Sequence, residues 1–192
     1  SLAQLVIFLI KEHPIQLWSF FFGLIIISAL MVMREIKLWN VKTVLSLLAG
    51  TVMAYAITVV TPATTPDNTL AIFLSGMVAI CAMVLPGISG SFILLLVGKY
   101  EYIFGELKAF NLSVIIPFGL GCVVGILAFS SVISWFLKKF HDYAIALLAG
   151  FMLGALNKIW PWKEVLKYRL DRHNEQKPLI EQNLWPAEYT KV

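Results

Sequence analysis

Apolar residues are grouped in long blocks along this chain, and polar residues separate the blocks. The pattern does not repeat every few residues. Four apolar blocks have or approach the length of a bilayer-spanning helix, which needs about 20 predominantly apolar residues. Charged residues gather between the blocks, for example at Arg34 and Lys37 and again at Lys138 and Lys139. The pattern predicts an all-α, polytopic integral membrane protein whose transmembrane domain covers residues 1–162, with spans over residues 15–33, 41–60, 112–137 and 143–157.

A fifth apolar block, residues 70–98, carries no charge but is interrupted in its middle. The interruption consists of Pro86, Gly87, Ser89, Gly90 and Ser91. Proline and glycine break helices, and a broken helix in lipid leaves backbone N–H and C=O groups unpaired. Such a break is tolerated where it faces protein or a water-filled cavity. The block therefore predicts either a re-entrant hairpin or one kinked span, lining a binding site.

Composition supports the membrane assignment and argues against several other classes of protein. The chain is 59% hydrophobic and 14% charged, whereas soluble domains are nearer one quarter charged. Its net charge of +4 fits basic residues that set membrane topology and does not indicate nucleic acid binding. No zinc-ligand spacing, Walker loop, dinucleotide fingerprint or Ser-His-Asp pattern occurs in the sequence. We therefore predict no catalytic residue, no metal and no cofactor.

Two further features complete the outline of the chain. Cys81 and Cys122 lie inside apolar runs, which favours a packing role for both. The polar segment over residues 163–192 contains Lys163, Arg169 and two prolines. We expect this segment to lie on the membrane surface.

Residues 5–30 and 132–157 resemble each other and suggest an internal repeat. Aligned without gaps, Lys11 meets Lys138 and Gly23 meets Gly150. Three predicted spans lie between Lys11 and Lys138, and a re-entrant hairpin adds no crossing. The copies would then have opposite orientations, as in the inverted-topology repeats of many transporters. If residues 70–98 cross the membrane once, the repeat is parallel instead.

The segment MVLPGISGSFILLLVGKYE, residues 83–101, resembles the second motif of the polyprenyl-phosphate transporter family, formerly domain-of-unknown-function family 368. The segments IPFGLGC, residues 116–122, and ALLAGFMLGALNKIWPWK, residues 146–163, are also similar to that family. The resemblance implies a multi-pass transporter that returns undecaprenyl phosphate across the bacterial cytoplasmic membrane. Family members carry a first PGxSGG-type motif and a final membrane helix that this sequence lacks. We therefore expect a C-terminal portion whose partners are membrane lipids, the lipid substrate and the N-terminal half of the same protein.

A lipid phosphate would suit the chemistry of the interrupted segment. The free N–H groups of a half-helix favour an anion, and glycine permits close approach of the backbone to a ligand. The hydroxyls of Ser89 and Ser91 can donate to phosphate oxygens. We therefore predict a headgroup site at Pro86, Gly87, Ser89, Gly90 and Ser91. Lys99, Glu101 and Arg34 are additional candidates for headgroup contacts, although charged residues beside a span also serve as interface anchors.

The residues are compatible with three further functions. An intramembrane enzyme acting on a lipid phosphate would need Ser89 or Ser91 as nucleophile, with an acid–base group nearby. No His, Asp or Glu lies close to these serines in sequence. A transporter of small anions would use the same hydroxyl donors. In a structural subunit without a substrate, Pro86 would merely kink a helix for packing.

Overall fold

The computed structural model describes residues 12–60, 65–66, 68–170 and 176–186. Within these ranges the chain forms seven helices, a short 3₁₀ turn and two strands. The helices are α1 (Pro14–Met33), α2 (Val41–Val59), α3 (Thr69–Val84), α4 (Gly90–Leu96), α5 (Tyr100–Lys108), α6 (Leu112–Lys139) and α7 (His141–Ala155). The 3₁₀ turn covers Leu156–Ile159, and the strands are β1 (Lys163–Leu170) and β2 (Gln176–Asn183).

Four helices are long and apolar enough to cross a membrane: α1, α2, α6, and α7 together with its 3₁₀ extension. This result confirms the prediction of an all-α membrane protein. Helix α6 ends at Lys139 rather than at residue 137, and α7 begins at His141 rather than at residue 143. Lysines are favourable in a last helical turn because they face the negative end of the helix dipole. Phe140 alone therefore separates the two helices.

Asparagine side chains define where three of these helices begin. Asn40, Asn68 and Asn111 each occupy the N-cap position, before α2, α3 and α6 respectively. In each case Oδ1 accepts a backbone N–H that the helix itself leaves unpaired. The distances are 2.9 Å to the nitrogen of Thr43, 2.7 Å to that of Ala71 and 3.2 Å to that of Ser113.

Helices α2 and α7 pack backbone to backbone through glycine. A Cβ atom placed on Gly50 would lie 2.3 Å from the carbonyl oxygen of Leu147. One placed on Gly150 would lie 2.2 Å from the carbonyl oxygen of Leu47. Gly154 has the same close contact with Thr51. Small residues at these positions let the two helices approach more closely than side chains would allow.

Helices α3 and α6 form a second pair of the same kind. A Cβ atom on Gly76 would lie 2.4 Å from the carbonyl oxygen of Phe118. One on Gly121 would lie 2.1 Å from the carbonyl oxygen of Phe73. The glycines of α6 differ in role, because Gly119 has open space where a Cβ would lie.

The two cysteines lie in this second helix pair. The Cys122 thiol donates to the carbonyl oxygen of Gly76, with a sulfur–oxygen distance of 3.5 Å. The Cys81 thiol donates to the carbonyl oxygen of Gly125 at 3.6 Å. Each cysteine thus reaches the partner helix beside a glycine that makes the close approach possible. Both are half-buried free thiols, consistent with the packing role expected for them.

The internal repeat is tested only partly by these contacts. Lys11 lies outside the described residues, and Gly23 and Gly150 have different surroundings. Gly150 is pressed against α2, whereas a Cβ on Gly23 would meet no described atom within 4 Å. The equivalence of the two copies, and their relative orientation, remain predictions.

The described chain divides into two compact units, residues 28–155 and a smaller unit containing residues up to Ile27 and from Leu156 onward. In the smaller unit, strands β1 and β2 pair antiparallel. Hydropathy did not predict this sheet within the polar segment. The Trp160 ring contacts the rings of Phe22, Trp162 and Trp185, and its Nε1 donates to the carbonyl oxygen of Leu184 at 2.8 Å.

Replacing Trp160 with phenylalanine is expected to loosen the end of β2 without unfolding the protein. The substitution keeps an aromatic ring but removes the donor to Leu184, a hydrogen bond worth about 1 kcal/mol. Hydrogen–deuterium exchange over residues 176–186 should increase, while the melting temperature changes little. Trp185→Phe is the control, since that ring is 70% exposed. Equal exchange in the two variants would contradict the expectation.

Candidate functional site

The predicted interruption of residues 70–98 is present in the structure. Helix α3 ends at Val84, and α4 begins only at Gly90. Pro86 lacks the N–H that a continuing helix requires, and its ring disfavours helical conformation at the residue before it. Gly87 has a φ of 94°, a conformation that side-chain-bearing residues rarely adopt. Proline and glycine together therefore end the first helix and turn the chain.

After the interruption the chain runs back along α3. A Cβ atom on Gly90 would lie 2.7 Å from the carbonyl oxygen of Ala79 and 3.6 Å from Cβ of Met83. In one kinked helix, residue 90 would lie about 16 Å beyond residue 79, at 1.5 Å per residue. The two helices are therefore the arms of a hairpin. We call residues 85–91 its tip.

The open ends of the hairpin meet. The Thr65 hydroxyl donates to the carbonyl oxygen of Val97 at 2.8 Å. The Lys99 ammonium donates to the carbonyl oxygens of Thr65 at 2.9 Å and Pro66 at 2.7 Å. Residues just before α3 thus touch residues just after α4. We call residues 65–66 and 97–99 the base of the hairpin.

One side of the tip is anchored in the protein core. Ile88 is buried in a cluster with Ala54, Ala82, Ile93 and Phe151, which brings α2, α3, α4 and α7 together. The tip also fits closely against α7, because a Cβ on Gly87 would lie 2.8 Å from Cβ of Ala155. The tip is therefore held against α2, α3 and α7 as well as against α4, which follows it.

The other side of the tip is polar. Ser89 and Ser91 are both exposed, and their hydroxyl oxygens lie 2.7 Å apart in a hydrogen bond. Ser89 is the N-cap residue of α4, but its hydroxyl makes no capping bond. In such a pair one hydroxyl donates to the other, which leaves the second proton to donate outward. The pair can therefore bind an oxyanion through that donor.

The structure does not gather all the predicted site residues in one place. Pro86, Gly87, Ser89, Gly90 and Ser91 lie together at the tip. Lys99 lies beyond the opposite end of α4, a helix about 10 Å long, and is fully buried with 0% exposure. Glu101 is exposed in the first turn of α5, and Arg34 is exposed after the end of α1. Headgroup contact by these last three stays a prediction.

Sequence reasoning missed two residues that hold the site in place. Ile88 was overlooked because it lies between the residues that break the helix, although an apolar residue there is a signal for burial. Thr65 was overlooked because its bond partner, Val97, is 32 residues away. The surrounding sequence, which is rich in proline and threonine, gave no indication of this contact.

The described residues show no arrangement typical of metal binding or of buried, unpaired polar chemistry. Among them, no group of three or more His, Cys, Asp or Glu side chains could hold a metal ion. Across the same ranges, every buried side-chain nitrogen and oxygen has a hydrogen-bond partner.

Helices of membrane-spanning length, glycine-mediated helix pairs and a broken hairpin define a multi-pass α-helical membrane protein. Residues 1–177 match the model of the VCA0040-like family, described as undecaprenyl phosphate translocase-like. The chain belongs to this family, as the resemblance in the sequence indicated.

Two curated relatives support the assignment. A polyprenyl-phosphate transporter of Vibrio cholerae is 47% identical over 189 residues, covering 98% of this chain and 61% of the relative. A polyprenyl-phosphate transporter of Staphylococcus aureus is 32% identical over 179 residues, covering 84% of this chain and 63% of the relative. The chain thus spans somewhat less than two thirds of the length of these relatives. No solved structure matches it.

Proposed function

We propose that this chain is part of a flippase that carries undecaprenyl phosphate across the bacterial cytoplasmic membrane, with the phosphate bound at the hairpin tip. The observation that carries the proposal is the exposed pair of hydroxyls, Ser89 and Ser91, on a broken helix of a chain in this family. Its two curated relatives are named polyprenyl-phosphate transporters, which supports a lipid substrate.

The chemistry of the tip supports a phosphate ligand. Phosphate oxygens accept strong hydrogen bonds from hydroxyl donors, and these bonds are stronger than those between neutral groups. Ile88 and the close contact of Gly87 with α7 hold the backbone of the tip in place. A donor that is already fixed in position costs little entropy when the ligand binds. The tip therefore suits selective binding of a headgroup whose lipid chain remains in the membrane.

The hairpin also supports a re-entrant topology. Because its base is closed by the bonds of Thr65 and Lys99, the segment begins and ends at the same place. We propose that it enters and leaves the membrane on one side. Three spans would then lie between Lys11 and Lys138, and the repeat would be inverted. Inverted repeats place binding sites near the bilayer midplane and allow alternating access.

The lipid environment and the remainder of the protein complete the proposal. Large apolar side chains cover the outer surface of α2 and α6, among them Leu45, Val52 and Leu127. Membrane lipids are the natural partners of such surfaces. We further propose that the N-terminal half, which the family resemblance implies, supplies a second motif facing the tip.

A transporter is favoured over an enzyme acting on the same lipid. A serine nucleophile requires a base within hydrogen-bonding distance. The Ser89 hydroxyl instead bonds to Ser91, which is no stronger a base. A transporter of small anions would use the same donors, so competition experiments must separate it from a lipid carrier.

Replacing both Ser89 and Ser91 with alanine is expected to lower transport by about tenfold or more, because a hydrogen bond to a charged group contributes about 1.5–3 kcal/mol. The complete protein is expressed in cells that lack other carriers of this lipid, and surface-exposed undecaprenyl phosphate is measured. Exposed lipid should accumulate while protein abundance stays normal.

A matched control uses Ser130 and Ser131 on α6, whose hydroxyls bond to the carbonyl oxygen of Leu127. Their double alanine variant should transport normally. Equal transport by both double variants would contradict a headgroup site at the tip. Inhibition of wild-type transport by inorganic phosphate alone, with no effect of added lipid phosphate, would favour a transporter of small anions.

A further inference from the structure

Lys99 is a buried cation at the base of the hairpin, and its position is fixed by the end of α4. The Lys99 N–H donates to the carbonyl oxygen of Leu94 at 2.9 Å, and the Gly98 N–H donates to that of Leu95 at 3.0 Å. Gly98 has a φ of 73°. These bonds form the glycine-terminated helix end known as a Schellman motif. The motif directs the chain so that the lysine points back toward the residues before α3.

The ammonium group bonds to backbone carbonyls and lies close to an aromatic ring. Nζ donates to the carbonyl oxygens of Thr65 and Pro66, and it lies 5.5 Å from the centre of the Tyr102 ring. Burying an ammonium group is costly unless hydrogen bonds replace its water. An apolar side chain of similar length would fill the same space without that cost. The lysine is therefore explained by the bonds it makes rather than by packing.

These bonds join the two arms of the hairpin at their open end. The bond from the Thr65 hydroxyl to Val97 links the base in the same way. At the tip, the close contact of Gly90 with Ala79 fixes which residues of the two arms lie side by side. Helix α4 has seven residues and is about 10 Å long. A helix this short buries only Ile93 and Leu94 of its own side chains, so the bonds at its base also contribute to its position along α3.

We propose that Lys99 is a positioning residue that closes the base of the hairpin and thereby sets the register of the tip serines. Its effect on transport rests on the function proposed above, whereas its effect on hairpin geometry does not. Lys99 and Ser89 lie at opposite ends of α4, which is about 10 Å long. Lys99 therefore acts through the hairpin and not by touching a ligand held at the tip.

The test measures the geometry of the tip directly, in the absence of substrate. The complete protein carries Cys81→Ala and Cys122→Ala together with Ser89→Cys, and the reporter thiol is labelled with a maleimide in membrane vesicles. Lys99→Met is expected to change the labelling rate of the reporter by about tenfold, as expected for the loss of charged hydrogen bonds. Lys99→Arg keeps the donors and should restore part of the wild-type rate.

Thr65→Val provides a second variant that leaves Lys99 in place. It removes the hydroxyl bond to Val97 and should shift the labelling rate in the same direction by a smaller factor. If Lys99→Met fails to fold, this variant still tests the closure of the base. A Ser113→Cys reporter, exposed in the first turn of α6, should label at an unchanged rate in every variant.

Unchanged labelling of the tip reporter in both Lys99→Met and Thr65→Val would overturn the proposal, even if transport were lost. A change that also appears at the α6 reporter would overturn it too, because it would indicate general loosening. Failure of the transport proposal has a different signature. In that case the tip reporter still responds to Lys99→Met, but alanine at Ser89 and Ser91 leaves exposed lipid phosphate unchanged.

Discussion

Leucine at Gly121 is expected to prevent α3 and α6 from packing, whereas leucine at Gly119, two residues earlier on α6, should be tolerated. A Cβ at Gly121 would lie 2.1 Å from the carbonyl oxygen of Phe73, and one at Gly119 would meet nothing within 4 Å. Leucine improves helix propensity by nearly 1 kcal/mol at either position. At Gly121 that gain is outweighed, because overpacking costs about 1–3 kcal/mol and more against rigid backbone.

The two leucine variants differ only in which face of α6 they occupy, so each serves as the control for the other. Both are purified in detergent, and their abundance, size-exclusion profile and melting temperature are compared with those of the wild type. The Gly121 variant should be poorly expressed or melt well below the wild type. Similar behaviour of the two variants would show that α3 and α6 do not pack as described.

On the function proposed above, alanine at Gly87 is expected to abolish most transport while leaving the helix pairs assembled. A positive φ of 94° strains any residue with a side chain by about 1–3 kcal/mol. The new Cβ would also lie 2.8 Å from Cβ of Ala155. The tip must therefore leave its place on α7, and the serines move with it. Exposed undecaprenyl phosphate in cells measures the loss, and the melting temperature tests assembly.

A second substitution separates the two causes. Ala155→Gly removes the atom that Gly87→Ala would meet, so the double variant should regain part of the lost transport. It should not regain all of it, because the backbone strain at position 87 remains. Ala155→Gly alone is the control. Wild-type transport by Gly87→Ala would show that the tip does not need its described conformation.

Much of this architecture could be predicted from the sequence because its signals are local. Runs of apolar residues predicted the long helices, and Pro86 with Gly87 predicted the break between α3 and α4. The direction of the chain after the break could not be predicted. It depends on the contact of Gly90 with Ala79, and a kinked span satisfied the same local pattern. That contact supports a hairpin, and it joins residues too far apart in sequence for a local pattern to contain it.

The burial of Lys99 is a second feature that could not be predicted from the local sequence. A lysine at the end of an apolar run normally marks the boundary with water or headgroups, so the local pattern favours interface anchoring. In the structure it is fully buried, because residues 65–66 fold over it. Those residues lie more than 30 positions earlier, so no local pattern contains the information. The strands of the polar segment were missed because hydropathy blocks do not report strand pairing.

Closure of the hairpin also has a kinetic consequence. The bonds at its base join residues 32 to 34 positions apart, and closing a loop of that size carries only a modest entropic cost. All of these residues leave the ribosome before α6 and α7 do. The hairpin can therefore assemble on its own as the chain enters the membrane. Its tip is secured only later, when Phe151 and Ala155 are synthesised and dock against it.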